Sequence, residues 1–165
     1  MIICTPSVFA YNEIITKTSN FKYETGIKLS TSNEIIRNKI FYNIPIGIAS
    51  FLDNTTITSC IFLFCPDEGI LLMGNNNTIF NNFFYHCGDG IELQSSSNNY
   101  IYNNLFIDNH CGIDAIYESN DNNYINGNTF NSNSMAIYFK SGQDNNYEHN
   151  QYTNNDINIF LREKK

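Results

Sequence analysis

The 165-residue chain is 42% hydrophobic, enough apolar side chain for one domain with a sizeable core and too much for a disordered chain. Its formal net charge is −7, and no Lys or Arg occurs from Phe41 to Phe139, where Asp53, Asp67, Glu68, Asp89, Glu92, Asp108, Asp114, Glu118 and Asp121 all fall. Such a surface repels phosphate backbones and anionic headgroups, which argues against nucleic acid and membrane surfaces and leaves neutral sugar, protein or calcium.

At the start of the chain, Met1 to Ala10 lacks the basic opening and continuous apolar run of a signal peptide, and no later run reaches membrane-spanning length. The expectation is an intracellular protein or an internal piece of a longer exported one. Met1-Ile2-Ile3-Cys4 reads as a strand with no amphipathic lid before it, which points to an end-to-end partner or a missing segment at the N-terminal coil.

From there a repeat takes over. Gly26-Ile27, Gly47-Ile48, Gly69-Ile70, Gly90-Ile91 and Gly112-Ile113 recur at intervals of 21, 22, 21 and 22, and Ala136-Ile137 and Asn158-Ile159 follow at 24 and 22. Alternating pairs such as Ile70 and Leu72, or Ile91 and Leu93, give these segments the period of a strand with one buried face. Asn12-Glu13-Ile14-Ile15 matches Asn33-Glu34-Ile35-Ile36 at a spacing of 21 and adds an earlier coil.

Asparagine supplies a second register, with 29 in the chain. Asn33, Asn54, Asn76, Asn98, Asn123 and Asn145 read as one column, and Asn38, Ser59, Asn81, Asn103, Asn128 and Asn150 as another. Two residues further on stand Ile40, Ile61, Phe83, Leu105, Phe130 and Tyr152. Asparagine suits corners because it tolerates left-handed backbone, and at one repeated position its amides bond up the stack. A leucine-rich repeat shares the period, but Ile outnumbers Leu and no stretch carries a helical stripe. The predicted fold is all-β, a right-handed single-stranded parallel β-helix of about seven coils of roughly 22 residues. One domain spans 1–165, with the repeats clearest over 26–161.

Gly90-Ile91-Glu92-Leu93 followed by Asn98-Asn99-Tyr100-Ile101-Tyr102-Asn103-Asn104 resembles the NosD-type β-helix repeats of the pectin-lyase-like superfamily. The resemblance covers Gly26 to about Leu161 and implies the fold more than an activity. Relatives include polysaccharide lyases, sugar hydrolases, adhesion modules and a periplasmic factor for copper delivery, so it implies an extracytoplasmic or cell-surface, carbohydrate-related setting.

Three sets of residues carry candidate chemistry. The residue after each two-residue step points outward, giving the row Lys28, Ala49, Leu71, Glu92, Asp114 and Tyr138. Glu92 and Asp114 then stand one coil apart, near the carboxyl separation of retaining glycosidases, with Tyr138 beside them to stack on a sugar. The plainer expectation is a solvated acidic face on a binding module of a surface or exported protein, with carbohydrate or another protein as partner. The enzymatic alternative is a glycan-degrading glycoside hydrolase or lyase; the uronate-processing relatives use a basic residue, which the central coils lack, Lys140 being the nearest, and this favours a neutral-sugar hydrolase over a pectate lyase.

Cys65 and Cys87 share a column, with His86, His110 and Cys111 in neighbouring turns, a thiol and imidazole set suited to copper(I) or zinc. Buried cysteine as a small corner filler is the alternative, and a Cys65–Cys87 disulfide requires the right side-chain directions. Five cysteines without CxxC spacing give no disulfide framework. Calcium is a cofactor candidate at Asp89 and Asp114, or at Asp121 in the turn Asn120-Asp121-Asn122-Asn123, between Glu118 and Asn126. Asn54-Thr55-Thr56 and Asn76-Asn77-Thr78 match glycosylation acceptors.

Overall fold

The computed structural model describes residues 13–17, 24–117 and 119–162, and every described strand pairs in parallel with its counterpart one coil away. The strand read over Met1–Cys4, with the N-terminal partner inferred from it, and Asn12 lie outside the described residues.

Numbered along the chain, one wall holds β1 (Glu13–Thr16), β4 (Lys39–Tyr42), β7 (Ile61–Leu63), β10 (Phe83–Tyr85), β13 (Leu105–Ile107), β16 (Thr129–Asn131) and β18 (Gln151–Thr153). A second holds β2 (Thr25–Lys28), β5 (Ile46–Ser50), β8 (Glu68–Leu72), β11 (Asp89–Leu93), β14 (Cys111–Ala115), β17 (Met135–Phe139) and β19 (Ile157–Leu161). The third holds β3 (Ile35–Arg37), β6 (Thr56–Thr58), β9 (Thr78–Phe80), β12 (Tyr100–Tyr102) and β15 (Tyr124–Asn126). Seven, seven and five strands make a three-sided solenoid of about six turns, close to the seven coils predicted.

The interior is built in columns. Ile48, Ile70, Ile91, Ile113 and Ile137 stack in register, all fully buried. Opposite them Phe41, Phe62, Phe84, Phe106 and Phe130 form a nearly parallel stack with centroids 4.7–4.8 Å apart. The glycine of each Gly-Ile step is required by that stack. A Cβ on Gly90 would sit 2.7 Å from the Phe106 ring and 2.6 Å from the Gly112 carbonyl oxygen. Where Ala136 replaces glycine, the ring beneath is Tyr152, and its spacing from Phe130 opens to 5.5 Å.

Each corner uses two residues for two jobs. The first takes left-handed backbone, as at Asn33, Asn54, Asn76 and Asn98, with φ between 56° and 65°. The second turns inward and forms a ladder. Asn77, Asn99 and Asn123 are buried, and each receives on its side-chain oxygen the backbone N–H of the residue one coil before. A parallel ladder runs Asn82, Asn104, Asn128 and Asn150. A third, at the corner between the first and second walls, runs Asn109, Asn133 and Asn155.

The columns read from the sequence hold through Asn98, Asn103 and Leu105, then need correction by one residue. Asn98 stacks on Asn122 and not on Asn123, and the left-handed column ends at Asp144 and not at Asn145. Likewise Gly127 and His149, not Asn128 and Asn150, continue from Asn103, and Leu105 pairs with Thr129, which pairs with Gln151. Phe130 and Tyr152 belong to the inward aromatic stack. Glu92 pairs with Asp114 at a spacing of 22, whereas Ser96 bonds Asn120 at 24, so two extra residues enter between Asp114 and Asn120. The Asn122-Asn123 doublet puts the same residue type in both columns, which hides the slip.

Candidate functional site

On the second wall the side chains facing away from the core form two rows. Gly90 faces the Phe stack, and Ile91 and Leu93 lie in the core, so Asp89 and Glu92 project to the other side of β11. The row after the Gly-Ile step is Lys28, Ala49, Leu71, Glu92, Asp114 and Tyr138 in paired register. Before the step runs a second row, Ile46, Glu68, Asp89, Cys111 and Met135. Glu68 is therefore a functional candidate absent from the sequence reading, and Asp89, read there only as a calcium candidate, joins it in this row. Their signal was available: each stands directly before the glycine of its step.

The carboxyls pair diagonally across the two rows. The register sets Glu68 diagonally across from Glu92, and Asp89 across from Asp114. Burial, reinforced by the neighbouring Glu92 carboxyl, pushes Glu68 up to about 9. Burial, with neighbouring carboxylate charge, pushes Asp89 and Asp114 each up to about 7. Glu68 Oε2, Asp89 Oδ1 and Asp114 Oδ1 are buried, and among the described residues no N–H or hydroxyl donates to them. A proton retained on Glu68, Asp89 and Asp114 relieves the like-charge repulsion among these carboxyls.

This overturns the solvated acidic face expected from the sequence. Glu92 is only 5% exposed and Asp114 8%. Close lateral packing of parallel coils removes water from short side chains even on an outer face. Gln94 Nε2 donates to Glu92 Oε1 at 2.7 Å, and His110 Nδ1 lies 3.6 Å from Asp89 Oδ1. Tyr138 flanks Asp114 as predicted, but one face of its ring is taken by Phe160, with centroids 5.4 Å apart.

Around the corner from this wall lies an open cleft of about 420 Å³, lined by Phe64, Pro66, His86, Cys87, Asp108 and His110. His86 and Asp108 are corner residues with left-handed backbone, and His86 Nδ1 lies 2.9 Å from Asp108 Oδ2. The thiol and imidazole set splits three ways. Cys65 and Cys87 turn into the core, His86 and His110 face solvent, and Cys111 is buried in the outward row. Burial, with the Asp114 and Asp89 charges, drives the Cys111 thiol well above its ordinary range. Among the described residues no three His, Cys, Asp or Glu side chains are arranged to hold a metal ion. Asp121 Oδ1 accepts the Gln143 backbone N–H at 2.7 Å, a contact between the corners of adjacent coils.

The model of a right-handed β-helix region matches residues 11–163. The chain belongs to the right-handed β-helix family. That assignment fixes the hand of the solenoid and agrees with the inward Asn ladders and parallel walls. No curated protein and no solved structure gave a match.

Proposed function

We propose that this right-handed β-helix is a recognition module of an exported or surface protein, and that Glu68, Asp89, Glu92 and Asp114 bind a neutral carbohydrate. The reading rests on the two carboxyl pairs. Carboxyls on the outer side of one wall, some of them holding a proton, supply donors and acceptors at coil spacing, which is what vicinal sugar hydroxyls match. The absence of Lys and Arg from 41 to 139 leaves nothing to receive a uronate carboxylate, so the sugar is neutral. The Tyr138 hydroxyl and free ring face extend the surface on one side, and Leu71 gives it an apolar border on the other.

Hydrolysis of such a sugar is the second reading. The observation favouring it is that Asp89 and Asp114, on adjacent coils, keep a proton up to about pH 7 while a further carboxyl stands beside them. A protonated acid beside a carboxylate at roughly 5 Å is the arrangement of retaining glycosidases. Copper handling of the NosD kind fits less well, because the thiols and imidazoles face opposite sides of the corner. Neutral and acidic oligosaccharide arrays distinguish these readings. Binding of a neutral glycan, lost in Asp114→Asn and Glu92→Gln without any product in the wild type, supports the module. Turnover lost in the same variants supports the hydrolase, and equal binding by wild type and both variants overturns the site.

A further inference from the structure

At the corner between the first and second walls, the inward column runs Ile44, Cys65, Cys87, Asn109, Asn133 and Asn155. The cysteines tie the coils less fully than the asparagines do: Cys87 Sγ donates to Phe62 O at 3.8 Å but carries no amide oxygen for the Cys65 N–H, and its own N–H goes to Asn109 Oδ1 at 2.9 Å. Ile44 fills the same slot with an apolar side chain one coil earlier. Two successive coils carry thiols instead. Gly88 N donates to Cys65 O at 2.9 Å, which sets Cys65 and Cys87 directly over one another. In-register neighbours on adjacent parallel coils have Cα atoms about 4.8 Å apart, inside the range that a disulfide spans.

The two sulfurs already interact. Cys65 Sγ points to Leu63 O at 4.0 Å and Cys87 Sγ to Phe62 O at 3.8 Å, and the closeness of the two thiols raises Cys65 and lowers Cys87. They also differ in access: Cys65 is fully buried, whereas Cys87, 4% exposed and with its sulfur turned inward, lies in the wall of the 420 Å³ cleft beside His86 and His110. The other described thiols have no such neighbour. Cys60 stacks on Asn82, and Cys111 lies between Asp89 and Met135.

We infer that Cys65 and Cys87 are a redox pair, and that a small disulfide entering through the cleft oxidises them to a cross-link between adjacent coils. Cys87 thiolate attacks one sulfur of the small disulfide, forming a mixed disulfide and releasing the first thiolate. Cys65 then attacks the Cys87 sulfur, the mixed disulfide breaks, and the second small thiol leaves with the Cys65 proton. Two protein thiols and one small disulfide become one protein disulfide and two small thiols.

The test uses the full chain, folded, with oxidised glutathione, followed by denaturation, alkylation and digestion with an acid-specific protease. Cleavage after Asp67 or Glu68 separates Cys65 from Cys87. The expected product is a linked peptide pair holding these two residues, with Cys60 and Cys111 alkylated. Cys65→Ser should retain one glutathione on Cys87, and Cys87→Ser should leave Cys65 unmodified. Should either variant fail to fold, the wild type alone decides, through an upward thermal shift on oxidation that a reductant reverses. Alkylation of both Cys65 and Cys87, a bond to a different cysteine, or oxidation only above the unfolding temperature would overturn the inference.

Discussion

Replacing Asn104 with alanine isolates what the inward asparagines contribute. Its side-chain oxygen accepts the Asn82 backbone N–H at 3.0 Å and the Asn82 amide at 3.1 Å. Its own amide donates to Ile79 O at 2.9 Å and Asn128 Oδ1 at 3.1 Å. Two of these partners keep another bond after truncation: the Asn82 amide still reaches Ile57 O, and Asn128 Oδ1 still receives the residue-104 backbone N–H. The Asn82 N–H loses its acceptor and Ile79 O loses its side-chain donor, both at a corner where Asn82 and Asn104 are 2% exposed. Each orphaned buried group costs about 1–3 kcal/mol, so Asn104→Ala should destabilise by roughly 3 kcal/mol. Urea unfolding followed by circular dichroism measures it. Asn98→Gly is the control, because glycine accepts the 59° φ at that exposed corner and should change stability by only a few tenths of a kcal/mol. A loss below about 1 kcal/mol for Asn104→Ala, or equal losses for the two variants, would refute the ladder argument.

Three further outcomes follow from the same packing. Phe84→Ala empties a fully buried place between two rings at 4.7 Å and should cost about 4 kcal/mol in the same unfolding assay. Gly90→Ala presses a methyl group against Phe106 and the Gly112 carbonyl and should cost about 2 kcal/mol, read as a lowered thermal midpoint. The carboxyl pairs should make the protein less stable as pH rises. A carboxyl with a raised folded pKa holds its proton longer in the folded chain than in the unfolded one. The stability it contributes is therefore full below the unfolded value and disappears by the folded one. For Asp89 and Asp114 the window runs from 3.8 to about 7, and for Glu68 from 4.5 to about 9. Thermal melts across that range should fall with pH, and Glu68→Gln with Asp89→Asn should flatten the slope.

Features that a coil cannot form without were readable along the chain. Glycine at 47, 69, 90 and 112 has no substitute where a ring and a carbonyl close on it, and the recurrence at 21 or 22 residues follows from that exclusion. Asparagine was readable for type but not for place. One residue bends the corner and the next ties the coils, and after the two-residue insertion before Asn120 the doublet fits either column. The outward row through Glu92 and Asp114 was readable because the strand period fixes its side of the wall. Its partners before the glycine were readable by position but not by the side they face. Gly90 and Ile91 both serve the core, which places Asp89 and Glu92 on one outer face and makes possible the diagonal pairs that a period of two does not anticipate. Burial escaped for a related reason, since water is excluded by neighbours on other coils.

Three carboxyls of this wall hold their protons above the ordinary carboxylate range, and residue-specific carboxyl ¹³C titration by NMR measures that directly. Asp89 and Asp114 should titrate near pH 7 and Glu68 near 9, each curve moving when its diagonal partner is changed to the amide. Independent titration of all three near ordinary carboxylate values, between about 3.5 and 5, would contradict the account.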